Sequence, residues 1–195
     1  MAHCHRVSGI LAWLLQTTLS TAAPLRFIDS TMLPVCRLVR ADRHKVAKGV
    51  AAFGKNWQGW HYGFKMHTAI DHEDSLCAIY FTPANVHDAQ VIPKLVNEQT
   101  TIGVGDTAYN AGVMREQICE RLGCFILAPT HPKQNKKLMA KWQHILLQLR
   151  SKIEAVFSVL KEKRHLVTSY PRSVAGYFVH YIRVLLGYQM GMANS

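Results

Sequence analysis

The sequence predicts an α/β fold of the α+β mixed-sheet kind: an antiparallel three-strand meander followed by alternating helices and strands. Three observations point that way. Leu25 to Met32 reads as a strand, Trp60 to Ile70 alternates apolar and polar residues, and Leu76 to Thr82 returns from it after the turn Asp71-His72-Glu73-Asp74. From Thr101 onward, short β-like runs alternate with stretches of helical spacing, so helices are expected to cover a central sheet. A length of 195 residues fits one domain with a sizeable core, and 49% hydrophobic residues with a mean hydropathy of -0.01 exclude a disordered chain.

Each element has its own reason. Gly9 to Leu15 is an apolar run before a Thr21-Ala22-Ala23 stretch that resembles a cleavage site. Gln16, Thr17, Thr18 and Ser20 soften it early, so a helix packing before the first strand is expected over residues 1–24 rather than an export signal. No stretch has the apolar length to span a bilayer. The main domain is expected over 25–195, with a basic, glycine-containing insertion at 35–60. Within Trp60–Ile70, Tyr62, Phe64, Met66 and Ile70 face one way and His61, Lys65 and His67 the other. Asp88 is expected to cap a helix ending near Val96, and Thr101–Val104 is the fourth strand. Gly112–Leu122 is a helix with Val113, Ile118 and Leu122 inward, stopped by Gly123. Cys124–Ala128 is a fifth strand, and a polar, basic loop with Lys133, Lys136, Lys137 and Lys141 follows. One long helix runs from Trp142 to Lys163 with Leu146, Leu149, Ile153, Val156, Phe157 and Leu160 as its apolar stripe, and a closing helix carries Val174, Phe178, Tyr181, Ile182 and Leu185.

The charge narrows the partner. Lys and Arg number 23 against 12 Asp and Glu, a net +11 with an isoelectric point near 9.7, which points to a polyanion, nucleic acid first. The five cysteines are odd in number, irregularly spaced and without a C-x-x-C pair, so neither a disulfide framework nor a zinc ribbon is indicated; they read as buried free thiols of a reducing compartment. His3-Cys4-His5 is too short and too terminal for a zinc site.

Three acids stand where an acid costs folding energy: Asp29 in a strand, Asp106 at the end of Thr101–Gly105, and Glu154 on a helix. Together they could hold divalent metal ions for phosphodiester chemistry. Singly, each has a plainer role. Asp29 can bond its neighbours Ser30 or Thr31, Asp106 can form an Asx turn or cap, and Glu154 can pair with Arg150 one turn earlier, worth about 0.3 kcal/mol. Asp88 is best read as the cap, and His61 and His67, six apart on one strand, cannot share an ion. Phosphate contacts are expected from Arg37, Arg40, Arg43, His44, Lys45, Lys48, Lys55, Lys65 and Arg150. Trp57 and Trp60 either seal the strand edge, the preferred reading, or stack on an unpaired base.

The order of these features resembles the RNase H-like catalytic core of DDE transposases of bacterial insertion sequences, specifically the 982 family of insertion sequences. The stretches that carry it are Phe27–Thr31 through Cys36, Arg43–Gly49, Gly59–His67, Thr82–Asp88, Gly105-Asp106 with Tyr109, and Arg150–Phe157. It runs from about residue 25 to the C-terminus, and the order and spacing of the motifs, not any one of them, are specific. Thr107-Ala108 stands where the family has a basic residue and a glycine, and only 28 residues precede Asp29 where the family has a longer helical region, as in a truncated copy. The resemblance implies metal-dependent DNA cleavage and strand transfer by Asp29, Asp106 and Glu154. These would hold two Mg²⁺ ions (Mn²⁺ as substitute) about 4 Å apart, with Asp29 bridging them. It further implies a cytoplasmic bacterial protein that works as a homo-oligomer on double-stranded DNA, with no membrane partner. A catalytically inactive remnant that only binds DNA, an exported basic binding protein and a plain nuclease or resolvase are the rival readings.

Overall fold

The computed structural model describes residues 2–129 and 139–192, with side chains from residue 8 onward. The expected Lys133, Lys136 and Lys137 contacts and the side chains of His3, Cys4 and His5 lie outside the described residues. The chain forms a six-stranded mixed sheet covered by helices, the mixed α/β architecture expected and one compatible with an RNase H-like fold. Helix α1 (Ala2–Thr18) leads into β1 (Leu25–Pro34). β2 (Ala52–Asn56), β3 (Gly59–Ile70) and β4 (Leu76–Pro83) follow, then the short α2 (Ile92–Leu95), β5 (Ile102–Val104), α3 (Gly112–Leu122) and β6 (Phe125–Leu127). The last elements are α4 (Lys141–Leu149), α5 (Ser151–Ser158), a π-helical turn (Val159–Lys163) and α6 (Val174–Met192).

β1 lies at the centre because its residues are apolar on both faces. It pairs antiparallel with β3, Phe27 opposite Ile70 through Pro34 opposite Gly63, and parallel with β5, Leu25 opposite Ile102 through Phe27 opposite Val104. β6 continues the parallel half beside β5, and β4 pairs antiparallel with β3. Alternation along β1 sends Phe27 and Leu33 into one core with Ile153, Leu160, Tyr177 and Leu185, and Ile28 into a second with Ile92, Leu95, Tyr109 and Ile118. Fully buried side chains of this kind each contribute roughly 1.5–3 kcal/mol. α6 closes the first core: Phe64, Phe81, Phe178 and Tyr181 pack ring against ring, and the Tyr177 hydroxyl donates to Val35 O at 3.0 Å. Gln189 ties α6 to both α1 and β4, accepting from Leu76 N at 2.8 Å and donating to Thr18 O at 2.9 Å.

Several expectations change. Residues 35–60 are not irregular throughout, because Leu38–Arg43 forms a 3-10 helix and Ala52–Asn56 adds β2 to the first part of β3. The expected single long helix breaks at Arg150 and ends in the π turn. Lys65 and His67 are buried along with Met66 between them, since β3 has a layer on each face. Val113 is 70% exposed, not inward, whereas Ile118 is buried and Gly123 ends α3 at a φ of 66°, as expected. Trp57 and Trp60 do not seal an edge, being 90% and 55% exposed. Cys77 and Cys124 are buried thiols, but Cys119 is exposed. Arg26 is buried inside the sheet, its guanidinium donating to the carbonyls of Thr21, Leu95 and Ala23 in place of a counter-ion.

Gly63 is where backbone meets backbone: a Cβ there would stand 2.2 Å from Leu33 O, at the pairing of β1 with β3. Gly63→Ala is expected to destabilise the fold by about 2–4 kcal/mol, read as a lower urea midpoint, because neither strand can yield without breaking the ladder.

Candidate active site

The parallel pairing of β1 with β5 brings the first two acids level. Phe27 stands opposite Val104, so carrying that register two residues further sets Asp29 beside Asp106. The β1–β5 pairing itself ends at Phe27 and Val104, and Gly105 continues on the other side, its N–H donating to Leu127 O of β6 at 2.9 Å. β5 ends at Val104 while β1 runs on to Pro34, so Asp29 lies in mid-strand where its parallel neighbour turns away. Both plainer roles are also filled. Asp29 Oδ1 accepts from Ser30 N at 2.7 Å, and Asp106 Oδ1 accepts from Ala108 N at 2.9 Å, capping the turn Thr107–Tyr109. Local anchoring and convergence occur together.

Glu154 arrives from above the sheet. α5 rests on β1 through Ile153, Val156 and Phe157, and Arg150 stands at its junction with α4 with helical backbone angles. Arg150 Nη1 lies 3.2 Å from Asp29 Oδ2 and Nη2 lies 2.7 Å from Glu154 Oε1, so one guanidinium joins acids 125 positions apart in the chain. The Asp29 and Arg150 side chains are 17% and 23% exposed and that of Glu154 is 56% exposed: the site runs from an enclosed floor to an open rim.

Electrostatics follow from this enclosure. Burial pushes the Asp29 carboxyl up to about 7, against the pull of Ser30 N–H and Arg150, and the charges of Asp106 and Asp88 add to the rise. Asp106 is raised for the same first reason, with Asp88 adding and Ala108 N–H and Arg150 opposing. The Tyr109 phenol, wholly buried, is raised by burial and then by Asp88, Asp29 and Asp106 in turn. Lys161, on the π turn, is lowered by burial and held up by Asp29, while His61 is lowered by burial and by Lys161.

Reading the sequence missed two of these groups. Lys161 sits seven positions after Glu154 on the same helical run and so returns to its face after two turns, a signal available from spacing alone. Asp88 was read as a helix cap, but His87 takes that role, its Nδ1 accepting from Ala89 N at 3.3 Å, while Asp88 accepts from Lys65 Nζ at 3.0 Å and faces the acids electrostatically. Lys65, expected to contact phosphates, is thereby buried, with Val86 O as second acceptor at 2.9 Å. His67 is fully buried, bonded to Thr82 Oγ1 at 2.9 Å, and burial keeps it well below its ordinary pKa. Arg37, Arg40, Arg43, Lys45, Lys48 and Lys55 are exposed, and His44 packs edge-on against Tyr62 with its Nε2 buried.

Two of the acids thus come from the middle of β1 and from the turn after β5, its parallel neighbour, and the third from the helix packed on β1. Residues 19–174 match the family described as Transposase DDE domain, and the chain belongs to that family. Membership places it among nucleases and transposition enzymes and implies DNA as its partner. No solved structure matches the chain.

The family typically uses a divalent metal. Among the described residues, no three carboxylate, imidazole or thiolate groups form a ready ligand set for one ion. The donor chemistry nevertheless fits. The acids offer hard oxygens, two of them are desolvated and in need of positive charge, and Mg²⁺ takes one or two protein carboxylates and fills the rest of its shell with water and phosphate.

A raised carboxyl pKa destabilises the fold as pH rises from the unfolded value of 3.8 through about 7, because the buried form must then ionise while the unfolded one already has. Asp29→Asn is therefore expected to raise the metal-free thermal midpoint at pH 8, by about 2–4 kcal/mol in stability, and to lose that advantage near pH 4. Denaturation of both proteins across pH 4–8 checks it.

Proposed function

We propose that this chain is a DDE-type transposase core that cuts DNA and joins strands in the transposition of an insertion sequence of the 982 family, with Asp29, Asp106 and Glu154 as its catalytic acids. The observation that carries this reading is the Arg150 bridge from Asp29 to Glu154 above a strand register that brings Asp106 level with Asp29. The three acids would hold two Mg²⁺ ions, or Mn²⁺ in their place, and bound metal would supply Lewis-acid activation of the nucleophile and stabilisation of the leaving oxygen. As ligands Asp29 and Asp106 would act in their ionised form, which burial disfavours, with one oxygen of each fixed in direction by the Ser30 and Ala108 N–H groups. Arg150 must swing from at least one carboxylate, and it then offers its guanidinium to a phosphate. Lys161 stands beside Asp29 as a second cation for the DNA backbone near the cut. The exposed cations from Arg37 to Lys55 add binding that carries no sequence information. We place the activity on double-stranded DNA in the bacterial cytoplasm, in a homo-oligomer that pairs two ends; no helix among the described residues is long and apolar enough to cross a membrane.

One observation favours the rival reading, a remnant that binds DNA without cutting it: Glu154 is more than half exposed and engaged with Arg150. Plasmid nicking separates the two. With Mg²⁺, the full-length chain is expected to relax supercoiled DNA, and Asp29→Asn, Asp106→Asn or Glu154→Gln to lower the rate by at least about 100-fold with DNA affinity kept. No nicking by the unaltered chain with either metal means the remnant reading holds.

Because protons compete with metal at Asp29, the nicking rate at subsaturating Mg²⁺ is expected to rise with pH through about 7 and then level off. A flat profile between pH 6 and 8 counts against Asp29 as a ligand.

A further inference from the structure

Two recesses outside the carboxylate cluster share a wall. The first, about 460 Å³, lies between residues 34–38, the start of β3 and residues 167–170, with Trp60 and Tyr170 among its lining. Tyr170 is 90% exposed and Trp60 is 55% exposed with the Lys55 ammonium 5.8 Å from its ring centre. The second, about 560 Å³, is a cup that includes Arg37, Arg40, Arg43 and Lys45. Cys36, Arg37 and Ser169 line both, and no Asp or Glu lines either. Among the described residues none of the four cations of the cup forms an ion pair.

The two recesses differ in chemistry as a base differs from a phosphate. Large exposed aromatic faces have little to gain from water, whereas each base of an unpaired strand has a π-face to stack on them. In a duplex those faces are covered by neighbouring bases, so a pocket of this size with aromatic lining admits a base only when it is free. The cup of unpaired guanidinium and ammonium groups next to it suits the phosphates that flank such a base. His61 also lines the aromatic recess, seven residues along β3 from Thr68, the pairing partner of Asp29.

We propose that these recesses form one site for an unpaired segment of a DNA strand, one base stacking in the Trp60–Tyr170 recess and its flanking phosphates seated in the Arg37–Lys45 cup. DNA as the partner rests on the function proposed above; the separation of base and phosphate pockets is new to this site.

Fluorescence anisotropy on the full-length chain tests this, with a short labelled oligodeoxythymidylate and a blunt duplex as the two probes. Trp60→Ala combined with Tyr170→Ala is expected to weaken the single strand at least fivefold, about the effect of one lost stacking contact, while duplex affinity moves by less than about twofold, since phosphate contacts carry it. Trp60→Phe with Tyr170→Phe is expected to restore most of the single-strand affinity. Arg37→Ala with Arg40→Ala should weaken both probes and flatten their salt dependence. Single-strand affinity unchanged in the alanine pair, or lost equally on both probes while the thermal midpoint is kept, overturns the site. Plasmid nicking keeps the two readings apart. A chain that prefers single strands through these residues but never nicks retains this site and loses the catalytic function, and a chain that nicks but ignores both aromatic substitutions does the reverse.

Discussion

The pairing of β1 between an antiparallel and a parallel neighbour is the constraint on which the rest depends. β3 fixes the position of β1 along its length through eight residue pairs, Phe27–Ile70 to Pro34–Gly63. β5 can then pair only with its first three residues. Side chains on a strand alternate with a period of two, so a slip of one residue would exchange Phe27 and Ile28 between the two cores and turn Asp29 away from its side of the sheet. Burial on both faces makes that slip costly. The position of a carboxylate is therefore set by apolar residues that never touch it.

The same burial creates the tension at the site. Asp29 and Asp106 are raised first by burial, Asp88 adds to both, and Asp106 adds to Asp29. The chain meets this with cations drawn from separate elements: Arg150 from the α4–α5 junction, Lys161 from the π turn and Lys65 from β3. A buried pair of this kind seldom stabilises a fold on balance, because desolvation of both partners offsets their attraction. Their value is in holding charged groups in defined places.

What could be read from the sequence divides along physical lines. The meander, the later strands, Gly123 as a helix stop and the closing helix were legible because period, turn chemistry and a left-handed glycine are local signals. Asp29 stood out because Asp is rare in strands, whereas Glu154, a good helix former on a helix, broke no local preference and stood out only by its order after the other two. β2 was not, since Ala52–Asn56 has little strand character and forms only because β3 offers an open edge to pair with. Nor was the burial of His67 and Lys65, which depends on β3 being covered on both faces by elements remote in sequence. Asp88 looked like a cap because its local context is that of a cap; the partner that claims it, Lys65, lies 23 positions earlier. The break at Arg150 was invisible to helical periodicity, which runs through it without a gap.

That break has a consequence for how the molecule comes into being. Because Arg150 comes from within the chain, two mutually remote acids have a positive partner as soon as α5 lands on β1. The contact between the two acids is thus made by the chain's own residues, unlike the ligand sets of small domains whose structure exists only once a metal has bound. One guanidinium therefore holds two remote carboxylates in a finished architecture, while burial still keeps the Asp29 carboxyl raised to about 7.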